Sequence, residues 1–291
     1  MERLKRTEKN TLTERVLQFG EGNFLRGFVD WMIDKLNKEN GGDYGVTIVQ
    51  PLAGGLVDKL NAQDGRYSLY LRGLLKGEKV EETRIVDCVT RGINPYTNTD
   101  EFFDCAKNPD LRFIVSNTTE AGIEYKPNQN PDDFNGLTFP GRLTLFMKKR
   151  FDEGLGGFIL LPCELIDKNG DNLKECILKY SVDWGYGGEF EKWIETENHF
   201  TNTLVDRIVT GYPRDNAKEM EQSYGYLDDM IDTAEIFHLW VIEGDKKLAE
   251  EIPFHKIGLN VLWTDDVTPY KKRKVRILNG AHTMTVLAAH L

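Results

Sequence analysis

The chain has no apolar run approaching the ~20 residues that a membrane-crossing helix needs, so no helical span is expected in its 291 residues. The first ten residues carry charge with no apolar stretch behind them, and do not read as a signal peptide. Cysteine is scarce. The four, Cys88, Cys105, Cys163 and Cys176, contain no CxxC pair. That argues against a disulfide framework and fits free thiols in a reducing cytoplasm. Positive charge is in deficit, 37 Lys and Arg against 47 Asp and Glu, for a net charge of −10. A nucleic-acid surface needs a basic patch, so nucleic acid is not an expected partner. Histidine is rare as well, and His282 and His290 stand eight apart with no paired ligand spacing nearby, so no metal site is expected. Internal repeats and low-complexity tracts are absent.

What is present is an ordinary globular composition, 40% hydrophobic and 11% aromatic, long enough for one large domain or two smaller ones. The most informative stretch is 15–28. Val16 to Phe19 reads as a short buried strand, Gly20 and Gly22 follow at once, and Phe24, Phe28, Trp31, Met32 and Leu36 are spaced for one helix face. Strand, glycine turn and helix in that order open a dinucleotide-binding βαβ unit. Glycine lets the backbone approach a pyrophosphate, and the helix start offers free N–H groups to it. The usual third glycine is replaced by Leu25, so a plain tight turn between strand and helix stays open as an alternative. In the functional reading, Phe19, Gly20, Gly22, Asn23 and Phe24 form the cofactor loop.

Val46 to Gln50 is a second buried strand stopped by Pro51. An acidic residue often ends this strand and binds the ribose hydroxyls. Gln50 stands near that place, which leaves NAD and NADP equally open. Residues 66–74 and 79–89 read as a hairpin turning at Lys76-Gly77, and Asp100 to Lys107 as a helix. Residues 112–116 form the next buried strand, running into Asn117-Thr-Thr-Glu-Ala-Gly122. Polar groups directly after a parallel strand lie where open α/β sheets bind ligands. Ser116, Asn117 and Thr118, on to Glu120, are therefore expected to line the nicotinamide region; a loop with a helix cap is the alternative. Residues 124–139 read as loop and 143–151 as helix. Residues 157–161 form a strand ending in Pro162-Cys163-Glu164, and 172–183 and 188–197 are helical. Residues 237–243 and 259–265 are strands, and a helix begins at Tyr270. Asp206 and Arg207 interrupt an apolar run; they form a structural ion pair or, near the sheet edge, position substrate.

The last helix carries Lys274, Asn279 and His282. At 100° per residue their directions span about 140°, so they can face one cavity. A desolvated lysine can serve as general acid or base near neutral pH, and Asn and His can donate hydrogen bonds to a developing alkoxide. A merely basic helix, Lys271-Lys-Arg-Lys-Val-Arg276, is the alternative.

Taken together, these segments resemble the polyol-specific long-chain dehydrogenase/reductase family. The likeness is carried by Gln18-Phe-Gly-Glu-Gly-Asn-Phe-Leu-Arg26 with Phe28-Val-Asp-Trp31, and by Ser116-Asn-Thr-Thr-Glu-Ala-Gly-Ile123. It continues in Pro162-Cys-Glu-Leu-Ile-Asp167, in the run from Leu204 to Asp215, and in Lys274-Val-Arg-Ile-Leu-Asn-Gly-Ala-His-Thr283. It covers nearly the whole chain in order and is strongest to members that interconvert tagaturonate and altronate; fructuronate and mannitol or fructose are the alternative substrates, and a non-catalytic NAD-binding module the alternative of another class. The resemblance implies a metal-independent, NAD-linked hydride transfer to the keto group of a small sugar acid, with Lys274 as acid/base, Asn279 and His282 around the substrate oxygen, Gly20 and Gly22 in the cofactor loop, and Asp206 near the active site. Arg207 is one candidate for the cation that the substrate carboxylate needs. Mannitol enzymes of the family carry an asparagine where Leu165 stands here, so that contact is not carried over. The resemblance also implies a Rossmann-type dinucleotide-binding α/β domain with added antiparallel strands over 1–268, followed by the first helix (269–291) of an all-helical C-terminal domain whose remainder is absent, since family members continue well past this helix.

Overall fold

The computed structural model describes residues 1–119, 121–274 and 276. At its centre is a six-stranded sheet in the order β5-β2-β1-β6-β7-β8. Its strands are β1 (Glu14–Phe19), β2 (Gly45–Val49), β5 (Val89–Ile93), β6 (Phe113–Ser116), β7 (Ile159–Pro162) and β8 (His199–Phe200), and every pair is parallel. Strands buried on both faces must be apolar throughout. In β1 the alternation is clear: Val16 joins the core on one face, Leu17 and Phe19 the core on the other.

One face is covered by the helix over residues 23–40. It begins at Asn23–Leu25, widens into a π turn at Arg26–Asp30 and continues as Trp31–Asn40. The opposite face is covered by helices Thr99–Cys105, Phe139–Asp152, Asn169–Asp183 and Gly188–Glu197. Their Phe102, Phe146, Ile177 and Phe190 share one core with Leu17 and Leu160. Each such side chain, fully buried, contributes roughly 1.5–3 kcal/mol.

Two small sheets complete the structure. β3 (Tyr67–Leu75) and β4 (Glu78–Val86) form the expected hairpin, with β10 (Asp232–Glu235) added parallel to β3. β9 (Asn202–Asp206), β11 (Leu239–Glu243) and β12 (Val261–Thr264) make the other, in the order β12-β11-β9. The α/β architecture with added antiparallel strands follows the expectation. The departures are local, β8 and β10 among them. Val89 belongs to a separate central strand, β5, rather than to the hairpin. Helices Val57–Ala62 and Ala217–Tyr224 were not expected from the pattern. The last described helix starts at Thr268, with Pro269 in its first turn.

Candidate functional site at the switch point of the central sheet

Counting only strands of the central sheet, their order is third-second-first-fourth-fifth-sixth. The order reverses between β1 and β6, and open α/β sheets bind ligands in the crevice beyond the carboxyl ends at that point. The chain leaves β1 at Phe19. Gly20 has φ +126° and donates its N–H to Val49 O at 3.0 Å. A Cβ on Gly20 would sit 3.2 Å from the Asn117 carbonyl, so glycine is required there. Gly22 precedes the helix with φ −63° and ψ 161°, and no side chain caps the helix start. A Cβ on Gly22 would meet nothing within 4 Å. This is an open cradle in front of first-turn N–H groups, the chemistry an anionic phosphate requires.

The other expected loop residues divide by role. Asn23 is exposed, and its Oδ1 accepts from Arg26 Nη2 at 2.7 Å. Phe24 stacks on Phe28 at 5.0 Å. Phe19 places its ring in the core, 5.0 Å from Phe139, and only its backbone reaches the crevice. Arg26 is fully buried; its guanidinium donates to Glu21 O and Met230 O and lies 4.9 Å from the Tyr67 ring centroid. These bonds fix the entry to the helix from three sides.

Gln50 is buried directly after β2. Its Nε2 donates to Leu52 O at 2.7 Å and Ala53 O at 3.1 Å, and its Oε1 accepts from Val57 N. Both amide protons are committed to the loop 51–56, which the side chain shapes, and Oε1 is the group left to accept from a ligand hydroxyl. Glu21 works beside it: its Oε1 accepts from Leu56 N, and burial raises its carboxyl above the usual range.

At the end of β6, Ser116 Oγ donates to Glu164 Oε2 at 3.0 Å. Thr118 donates through both N and Oγ1 to Glu164 Oε1, at 3.0 and 3.1 Å. Asn117 donates its backbone N–H to Phe19 O and its side-chain amide to Cys163 O. The three expected residues thus sit together at the crevice, two of them, Ser116 and Thr118, around one carboxylate. Burial pushes the Glu164 carboxyl up, against the hydrogen bonds from Thr118 and Ser116. Glu164 itself was not singled out from sequence, although the same signal, a polar residue directly after a buried parallel strand, applies to it. Leu165, next in the chain, is 61% exposed.

Lys274 reaches back to the end of β9. Its Nζ donates to Val205 O at 2.6 Å and lies 3.2 Å from Asp206 Oδ1, with the two side chains only 15% and 16% exposed. Asp206 is therefore paired with Lys274 rather than with Arg207. Arg207 is the clear correction among the expected substrate residues. It is buried, stacks over the Trp31 ring at 4.1 Å, and donates to Gly27 O and Glu235 O at 2.8 Å each. Arg207 follows the last residue of β9 and turns beneath the helix over residues 23–40, away from its neighbour's side. Glu120, Asn279 and His282 lie outside the described residues. Among the described residues there is no cluster of His, Cys, Asp or Glu fit for a metal, and no helix long and apolar enough to cross a membrane.

The strand order, the glycine turn and the uncapped helix start define a dinucleotide-binding fold of the Rossmann class. The chain belongs to the mannitol dehydrogenase family: the mannitol dehydrogenase Rossmann domain matches residues 14–256. The altronate oxidoreductase of Cronobacter sakazakii is 49% identical over 283 residues, which are 96% of this chain and 59% of that protein. The chain thus spans somewhat under two thirds of the curated relatives it matches. Among solved structures, a substrate-free D-sorbitol dehydrogenase superposes with TM-score 0.79 at 24% identity, over 94% of this chain and 58% of that one. The Pseudomonas fluorescens mannitol 2-dehydrogenase ternary complex with NAD and D-mannitol gives 0.78 at 22% identity, over 94% and 57%.

Proposed function

We propose that this chain binds NAD and forms the cofactor half of an oxidoreductase that interconverts D-tagaturonate and D-altronate in the cytoplasm, with a small sugar acid as its substrate. The observation that carries this reading is the placement of Lys274 against Asp206, on a chain with a glycine cradle and a Ser116–Thr118 loop at the switch point. The curated relative that acts on altronate supports the substrate class, and the neighbour solved with NAD supports the cofactor.

The residues fit the dinucleotide at the cradle: Gly22 leaves open space, and the helix start is uncapped. The first-turn N–H groups of Asn23 and Phe24 would hold its pyrophosphate, and Asn117 and Thr118 its nicotinamide end. When bound, NADH supplies a hydride to the keto carbon. The protein's task is the proton. Lys274 as an ammonium gives one to the oxygen as it becomes an alkoxide, and is left neutral; the reverse direction returns the proton to it. Asp206 and the Val205 carbonyl hold the Lys274 side chain in place for this transfer. Asn279 and His282 would donate hydrogen bonds to the same oxygen. In this reading residues 1–268 form the Rossmann-type domain, and 269–291 begin a helical domain. The test is tagaturonate-dependent oxidation of NADH, with calorimetric NADH binding alongside. Lys274→Ala should abolish turnover and keep NADH binding; near-normal turnover would remove Lys274 from its role.

A further inference from the structure

A sugar acid carries a carboxylate at the far end of its carbon chain from the keto group, and Arg207, the expected cation, is committed to backbone carbonyls under the helix over residues 23–40. The cation must come from elsewhere. Beside the start of the Lys274 helix lies a cavity of about 460 Å³, whose lining includes Asp167, Lys168, Lys271, Lys272 and Arg276. Two acids also line it, both already hydrogen-bonded. Glu243 spends one oxygen on Asn202 Nδ2 and the other on Val267 N. Asp167 accepts from Lys271 Nζ at 2.6 Å, which ties the loop after β7 to the helix. Four cations against two acids leave the cavity positive.

Position matters as much as charge. Lys271 precedes Lys274 by three residues, about 4.5 Å along the axis and about 60° around it. In an extended hexuronate the keto carbon and the carboxylate carbon lie about 5 Å apart, from ordinary bond lengths. A substrate whose oxygen meets Lys274 can therefore reach Lys271 with its carboxylate. The loop that carries Asp167 also carries Glu164, so it touches both the nicotinamide side of the crevice and this cavity. Resting on the function proposed above, we propose that this cavity is the carboxylate subsite, with Lys271 as its direct contact, Asp167 as the residue that orients Lys271, and Lys272, Lys168 and Arg276 supplying the surrounding positive field. It is the feature that distinguishes a sugar acid from a neutral ketose.

The test is steady-state kinetics with tagaturonate and with fructose, on the wild type, Lys271→Met and Lys272→Met, with calorimetric NADH binding as the control for folding. Lys271→Met should raise KM for tagaturonate at least 10-fold and lower kcat less than about 3-fold; Lys272→Met should raise KM about 3-fold. NADH affinity and any turnover of fructose should not move. An unchanged KM for tagaturonate, or an equal rise for fructose, overturns the subsite and leaves the function standing. No tagaturonate turnover by the wild type, measured with this cofactor half joined to the helical half of an altronate oxidoreductase relative, removes the function and the subsite together. Should Lys271→Met lose NADH binding, the exposed Lys272→Met decides by the same criterion.

Discussion

Lys274 Nζ stands 2.6 Å from the Val205 carbonyl and 3.2 Å from Asp206 Oδ1, at the exit of β9. An ammonium held by one neutral and one charged acceptor has a third N–H left for a ligand. Asp206→Asn keeps the shape and removes the charge that holds the ammonium. We expect kcat to fall at least 10-fold, and NADH affinity to stay within 2-fold, because Asp206 makes no bond to the glycine turn. Turnover that survives in Asp206→Asn would reduce the pair to a structural contact.

The two glycines of the turn should separate in their effects. Gly20 lies at φ +126°, where an L side chain is strained by about 1–3 kcal/mol, and its added Cβ would press on Asn117 O. Gly20→Ala should therefore lower unfolding stability and NADH affinity together. Gly22 has an ordinary φ and open space around it. Gly22→Val should leave denaturant stability within about 0.5 kcal/mol and weaken NADH at least 10-fold, because the valine fills the cradle. NADH binding unchanged in Gly22→Val would argue for a simple strand–helix turn.

Glu164 organises the loop that follows β6. Removing its carboxylate leaves Ser116 Oγ and Thr118 N and Oγ1 without their acceptor. A buried donor left unsatisfied costs about 1–3 kcal/mol. Glu164→Ala should destabilise by about that much and weaken NADH binding. Glu164→Gln can accept from Thr118 N and donate to the Ser116 hydroxyl, so it should restore binding to within about 3-fold. Equal losses in both variants would show that the charge itself, not the hydrogen-bond geometry, is what matters.

Arg207 should behave as a structural residue. Arg207→Met strands the buried Gly27 carbonyl and the half-buried Glu235 carbonyl, and removes the stack on Trp31. The expected loss is about 2–4 kcal/mol in urea unfolding, with KM for the sugar acid unchanged at temperatures where the variant is folded. A selective rise in KM without loss of stability would return Arg207 to the substrate.

These residues also mark where sequence was readable. β1, its glycines and the helix behind them were legible because the pattern is local: an apolar run, a turn and a 3.6-residue period within about twenty residues. Ser116 to Thr118 were legible by the rule for strand ends. Arg207 was not, because it follows the last residue of β9 and only the packed structure tells which of the two neighbours turns inward. The bonds of the Gln50 amide to its own loop were not legible for a similar reason: they depend on Leu52, Ala53 and Val57 being folded back over it. β10, with the acid-rich sequence Asp232–Glu235, has no strand signature of its own; it is a strand because β3 offers it an edge.

The deepest consequence of burial is beneath the helix over residues 23–40. Asp30 is completely buried, and its Oδ2 accepts from Tyr67 Oη at 3.2 Å and Gln18 Nε2 at 3.4 Å. Burial pushes its carboxyl up to about 7, against the pull of Gln18, Arg26 and Tyr67, and nearby Asp232 pushes the same way. Burial likewise raises Asp232 to about 6. In the unfolded chain an aspartate titrates near 3.9. Between about 4 and 7 these two groups therefore bind more protons in the folded protein than in the unfolded one. The contribution of Asp30 and Asp232 must fall as pH rises through that window, by at most about 1.4 kcal/mol per pH unit for each group, and level off above it. Half-buried His238, lowered to about 4 by burial, acts in the opposite direction, so the Asp30 contribution is read from the difference between wild type and variant. Asp30→Asn carries no ionisable group and keeps the hydrogen-bond shape. Its urea-unfolding free energy should match the wild type below about pH 4, where Asp30 is protonated in both states, and exceed it increasingly up to about pH 8, with a flatter slope between. Parallel curves across that range would show that Asp30 is ionised in the fold at all of these pH values.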